Sequence, residues 1–217
     1  MKTAGALVIG TLALTVGCVN MSTLQTAQAL DPGKQRILVG GGYYASPSVN
    51  ETASTTANDV SLALPYMEVG YRRGIVENLE LGAKVTIPGT VGLDAKYQLV
   101  KAGDFAVAAG LGGSYLSISS TSNNMTTSTK LVDAIVPIYV SYDIAKPFAV
   151  YASPKYVARF AQSTDENGMM TSGMENLVGA TLGTRLGSRF GLFLETSYLK
   201  DLSSTFDSFQ VNGSIFF

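Results

Sequence analysis

The sequence predicts an all-β chain: a closed, antiparallel, up-and-down transmembrane β-barrel of about ten strands, with eight as the alternative count. Three observations lead there. Across most of the 217 residues, apolar side chains recur at every second position, the period of a strand with one apolar face. The mean hydropathy is +0.22, yet there is no apolar run of about 18 residues that could cross a bilayer as a helix. The connections alternate between longer stretches rich in Ser, Thr, Asn and Met and compact turns, as in a barrel with loops at one end and tight turns at the other.

The first segment reads as an address. Lys2 precedes an apolar stretch over 4–16, the right size for the core of an export signal and too short to span a membrane. The run Leu14-Thr15-Val16-Gly17-Cys18 resembles a bacterial lipoprotein signal, with Thr15 where Leu is usual. The resemblance implies a signal peptide over 1–17 and lipidation of Cys18. Because Val19 is not Asp, it also implies sorting to the outer membrane. A rival site is Ala27-Gln28-Ala29, an ordinary signal-peptidase motif that would start the mature chain at Leu30. Residues 18–34 are small and polar, turn at Asp31-Pro32-Gly33, and read as a flexible tether.

The barrel is expected over 35–217, with strands over 35–46, 60–73, 78–87, 90–100, 104–119, 129–143, 148–162, 174–186, 189–200 and 207–217. In 90–100, Val91, Leu93, Ala95, Tyr97 and Leu99 oppose Gly92, Asp94, Lys96 and Gln98. In 79–87, Leu79, Leu81, Ala83, Val85 and Ile87 oppose Glu80, Gly82, Lys84 and Thr86. Loops are expected at 47–59, 120–128 and 163–173, with shorter connections at 88–89 and 201–206 on the same side. Compact turns at 74–77, 101–103, 144–147 and 187–188 form the other side. Tyr71, Tyr97 and Tyr142 each lie just before such a turn, as in an interfacial aromatic girdle. An even strand count places both barrel termini on the tight-turn side.

The same assignment sorts the charges. The acids Glu68, Glu80, Asp94, Asp133, Glu175 and Glu195 fall on the polar face, as do the bases Arg72, Lys84, Lys96, Lys155, Arg159 and Arg185. Six acids and six bases in so narrow a barrel should cross-link the interior and close the lumen. The alternative is a narrow channel for small solutes or ions, with Lys155, Arg159 and Arg185 facing Glu175 and Glu195. A third reading inverts the faces: a lipid-tethered soluble barrel with an apolar, ligand-binding interior.

The C-terminus alternates Phe209, Val211, Ile215 and the terminal Phe217. This resembles the signal read by the outer-membrane barrel-assembly machinery. With the export signal and the loop asymmetry, the chain resembles the small outer-membrane β-barrel proteins of Gram-negative bacteria, the OmpA/OmpW-like barrels in the broad sense. The resemblance implies outer-membrane lipid and the assembly machinery as partners, a periplasmic N-terminus and extracellular loops. The function expected is a plugged structural or surface-interaction scaffold.

Several classes are excluded. The chain has no His, so Ser-His triads, His-ligated zinc and His general bases are absent. The outer-membrane enzymes of similar outline rely on a His, so no enzymatic activity and no cofactor are expected. A net charge of −1 argues against nucleic acid. Glycine-rich 110–114 lies within a strand and lacks a P-loop Lys and a following helix. Asp165-Glu166-Asn167-Gly168 reads as an acidic turn.

Overall fold

The computed structural model describes residues 21–46, 62–87, 89–122, 125–164, 168–203 and 207–217. The signal peptide, Cys18 and the 47–59 loop lie outside them. Ten strands follow one another: β1 (Gln35–Ser46), β2 (Leu62–Val76), β3 (Leu79–Ile87), β4 (Thr90–Ala102), β5 (Phe105–Ser122), β6 (Met125–Ala145), β7 (Phe148–Thr164), β8 (Met170–Gly187), β9 (Gly191–Asp201) and β10 (Asp207–Phe216). Each pairs antiparallel with its neighbours, and β1 pairs with β10, so the sheet closes into a barrel without an edge. Closure ends where Ile37 and Phe217 exchange both backbone hydrogen bonds, at 2.9 and 3.1 Å. Within the closed part of the sheet every strand therefore has a pairing partner on both sides, the condition for crossing lipid.

The ten expected strands are all present, and β2 and β4 to β8 run longer than their periodicity suggested. The stretches expected as loops at 120–128 and 163–173 are largely hairpin: Ser119 pairs with Ser128, Thr121 with Thr126, and Ser163 with Thr171. Thr and Ser suit a pleated ladder when both faces are polar, so the apolar period stops before the strand does. At the other end three of the four turns are shorter than expected, and the fourth, expected at 187–188, spans 188–190. Asn78 adopts a left-handed conformation with φ 65° between β2 and β3, and Gly103 does so with φ 60° between β4 and β5.

Which face is inside is settled by exposure. Leu93 is 66% exposed and Lys96, three residues on, is 1% exposed. Met67, Val85, Ile87, Leu111 and Leu182 likewise face outward. All twelve charged residues assigned to the polar face point into the barrel, and most are buried. The inverted, soluble reading is thereby overturned. The exterior carries Tyr71, Tyr97 and Tyr142 at the turn end, as expected. A second ring of Tyr43, Tyr115, Tyr156 and Tyr198 stands toward the loop end. Amphipathic rings at both ends of an apolar band match the two interfaces of a bilayer.

An outward charge at mid-band should be expelled. Leu93→Lys should cost roughly 2–4 kcal/mol and reduce the heat-modifiable, folded band in SDS gels. The same substitution at exposed Gly173, beyond the apolar band, should leave that band unchanged. Equal folding of the two variants would contradict the assignment of the band.

Candidate functional site

The lumen is the only large polar environment among the described residues, and the wall does not fill it alone. Residues 21–30, part of the stretch over 18–34 expected as a flexible tether, run inside the barrel instead. Met21, Leu24 and Ala27 are buried, as are Ser22, Gln25 and Thr26. The segment makes no ladder with the wall, and strand side chains take up its backbone groups. Among its amides, Met21 donates to Gln210 Oε1 at 3.1 Å, Thr23 and Leu24 to the two oxygens of Glu195 at 2.7 and 2.8 Å, Ala27 to Ser141 Oγ at 3.1 Å, Ala29 to Gln98 Oε1 at 2.9 Å and Leu30 to Glu80 Oε2 at 2.9 Å. Its carbonyls accept from three lysines: Lys155 Nζ binds Met21 at 2.7 Å, Lys84 Nζ binds Ser22 at 2.8 Å, and Lys96 Nζ binds Thr26 and Gln28 at 2.9 and 3.0 Å. Side chains add Ser22 Oγ to Glu68 at 2.6 Å, Gln25 to Tyr139 at 2.9 Å and Gln28 to Asp143 at 2.6 Å.

The tether expectation fails because an extended segment carries unpaired amides and carbonyls, and these suit a lumen already lined with carboxylates and ammonium groups. Bonds to charged partners are the strong ones, about 1.5–3 kcal/mol each when their loss leaves a buried group unpaired. At the turn end the chain leaves through Asp31-Pro32-Gly33, where Gly33 has φ 79° and its amide binds Gly74 O at 2.9 Å. Gly74 has no room for a side chain, since a Cβ would lie 2.2 Å from Asp31 O.

The remaining charges pair across the wall, often by reaching over a small residue. Arg72 binds Glu80 and, at 2.6 Å, Asp94; Gly82 sits between Arg72 and Asp94 in register, and a Cβ there would lie 2.6 Å from both side chains. Lys96 lies 3.2 Å from Glu80. Arg185 reaches Asp143 at 3.1 Å over Ala149. Tyr151 OH crosses Gly183 to donate to Glu195 at 2.9 Å. Ser114, Asp133, Arg159 and Glu175 form a continuous row across β5 to β8, with Arg159 at 3.0 Å from Asp133 and 3.6 Å from Glu175.

The twelve sequence-assigned charges thus divide. Glu68, Lys84, Lys155 and Glu195 hold the segment, Glu80 and Lys96 serve both segment and wall, and Arg72, Asp94, Asp133, Arg159, Glu175 and Arg185 brace the wall. The sequence reading missed Asp143, Tyr139, Tyr151, Gln210 and Arg36. Arg36 stacks its guanidinium 4.9 Å from the Phe216 ring centroid and 5.8 Å from that of Phe193, closing the turn end over an aromatic floor. Its signal was present: Arg36 shares parity with Leu38 and Gly40 on β1. Phe209, Val211, Ile215 and Phe217 face outward on β10. Between segment and wall a cavity of about 60 Å³ remains, lined by Met21, Ser22, Thr23, Lys84 and Lys155 among others. That is room for a few water molecules and no larger solute.

No protein-family model matches the chain, and no curated protein matches it. Among solved structures it is similar to Neisserial surface protein A (10% identity over 84% of this chain and 95% of that one, TM-score 0.44). It is also similar to Ail, the attachment invasion locus protein of Yersinia pestis (11% identity over 86% and 99%, TM-score 0.44). A third similar structure is the outer membrane protease OmpT from Escherichia coli (10% identity over 89% and 98%, TM-score 0.44). The likeness is one of barrel architecture, which the strand pairing of this chain establishes independently.

Gly183→Val tests the small-residue crossings. A Cβ at Gly183 would fall 2.3 Å from Tyr151 Cζ, so the ring must leave Glu195. Losing that charge-assisted bond should lower stability by about 1.5–3 kcal/mol, read as a lower temperature for the gel-mobility transition. Gly173→Ala, where no atom lies within 4 Å of the added carbon, should leave it unchanged. Equal transition temperatures would contradict the arrangement.

Proposed function

We propose that this protein is an integral barrel of the bacterial outer membrane, plugged by its own N-terminal segment, that serves as a structural or surface-interaction scaffold. The observation that carries the reading is the occupied lumen. Ten backbone groups of residues 21–30 are bound by wall side chains, and the cavity left beside the segment at Lys84 and Lys155 has room only for water. The residues that would line a selective pore are spoken for: Lys155 and Glu195 by the segment, Arg159 by Asp133, Arg185 by Asp143.

Placement in the outer membrane is supported by the apolar exterior, the two aromatic rings and the closed sheet. In this reading membrane lipid covers the band, and the assembly machinery reads Phe209, Val211, Ile215 and Phe217. The loop end, with its long β5–β6 and β7–β8 hairpins, faces the medium and meets partners there.

Planar-bilayer recording tests the plug. The intact protein should show no reproducible conductance steps. A variant lacking residues 21–29 should fold, as judged by the heat-modifiable band, and conduct in discrete steps. Steps from the intact protein would overturn the plug and favour a narrow channel. A silent, folded deletion variant would mean that the wall side chains close the lumen without the segment.

A further inference from the structure

The N-terminal segment has a direction as well as a position. At its C-terminal end, Leu30 binds Glu80 beside the β2–β3 turn, and Gly33 and Lys34 bond with Gly74 before entering β1. Going backwards, the chain climbs. Ala27 is bound by Ser141 and Leu24 by Glu195. Met21 packs among Leu116, Leu131, Val157, Leu177 and Leu199, an apolar layer displaced toward the loop end. Leu116 pairs with Thr90, directly after the β3–β4 connection, and Leu199 pairs with Ser208, beside the β9–β10 connection. Ten residues of extended chain reach at most about 33–36 Å, enough for the apolar height of a barrel of about 25 Å.

We infer that residues 21–29 are retained in the mature protein and that this luminal passage delivers the chain upstream of Met21 to the loop end, opposite the C-terminus. Ten strands alone return both ends to the turn side. The luminal segment adds an eleventh passage, which makes the count odd and separates the two ends. The inference rests on the plug reading above and goes beyond it to processing and orientation.

It also resolves the two processing sites. Cleavage after Ala29 would discard eight of the nine residues whose backbone groups bind Lys84, Lys96, Lys155 and Glu195 or neighbouring wall side chains. The small residues of that motif have another explanation. Ala27 is fully buried against Ala106, Ala108 and Tyr139. Its amide is bound, and its neighbour Thr26 gives its carbonyl to Lys96. A small side chain at Ala27 suits this packed part of the lumen, so processing falls upstream of Met21.

Two measurements test this on the full chain. The first is the N-terminal peptide of the protein purified from membranes, read by mass spectrometry. A start at or before Met21, with or without acyl groups on Cys18, is expected; a start at Leu30 overturns both this inference and the plug. The second is the surface display of an epitope inserted between Val19 and Asn20. Antibody should bind intact cells as well as it binds the same epitope inserted before Gly168, a loop-end control. The epitope placed before Lys146, at the turn end, should be reached only after permeabilisation. An upstream epitope that behaves like the Lys146 control, in a folded protein retaining Met21, overturns the orientation while leaving the plug standing. If the epitope prevents folding, Asn20→Cys labelled by a membrane-impermeant maleimide takes its place, with labelling of intact cells expected and labelling only of broken cells contradicting.

Discussion

A barrel wall that turns its apolar face to lipid must turn the charges within its apolar band inward, and a ten-stranded barrel leaves those charges little water to meet. Each buried ion then needs a partner, because an unpaired charge in a low-dielectric interior costs several kcal/mol. In this chain part of the demand is met across the wall and part by the backbone of residues 21–30. A peptide backbone is a regular source of donors and acceptors, so it can serve carboxylates and ammonium groups at once. Glu195 shows the principle most clearly: its two oxygens take the amides of Thr23 and Leu24, the hydroxyl of Tyr151 and the side chain of Asn212.

The wall's small residues follow from the same constraint. Inward neighbours on adjacent strands are directly opposite, so two long side chains that must meet over an intervening strand need that strand to be thin. Gly82, Ala149 and Gly183 make it thin where Arg72 meets Asp94, Asp143 meets Arg185 and Tyr151 meets Glu195. Where all strands contribute polar residues the pairs run without a gap, as in the row from Ser114 to Glu175. At these crossings a small residue and the pair that meets over it are one feature of the wall.

Much of this was legible in the sequence, because a strand's two faces are written locally in a period of two. The inward placement of Glu80, Lys84, Asp94 and Lys96 needed only parity with their apolar neighbours. The extent of β5 to β8 was not legible, because Ser- and Thr-rich hairpins lack the apolar signal that marks a strand. Arg36 and Asp143 stand near strand ends, where the period fades. The luminal segment was the largest omission. Its sequence has the composition of a linker, and its order comes from side chains more than 40 residues away acting on backbone groups that every sequence possesses. What could have hinted at it was the interior itself, where the charges outnumber the pairs that the wall can make alone.

The central claim is that residues 21–30 lie inside the barrel. The most direct test is a cross-link between Thr23 and the wall at Thr181, whose hydroxyls lie 3.4 Å apart. In a chain carrying Thr23→Cys and Thr181→Cys, oxidation of the folded protein should join the two positions. Mass spectrometry of the digested protein would then show the linked peptides. A pair of Thr23→Cys with Leu93→Cys, on the outward face, should give none. Recovery of both pairs at equal yield, or of neither in a folded barrel, would contradict a threaded lumen.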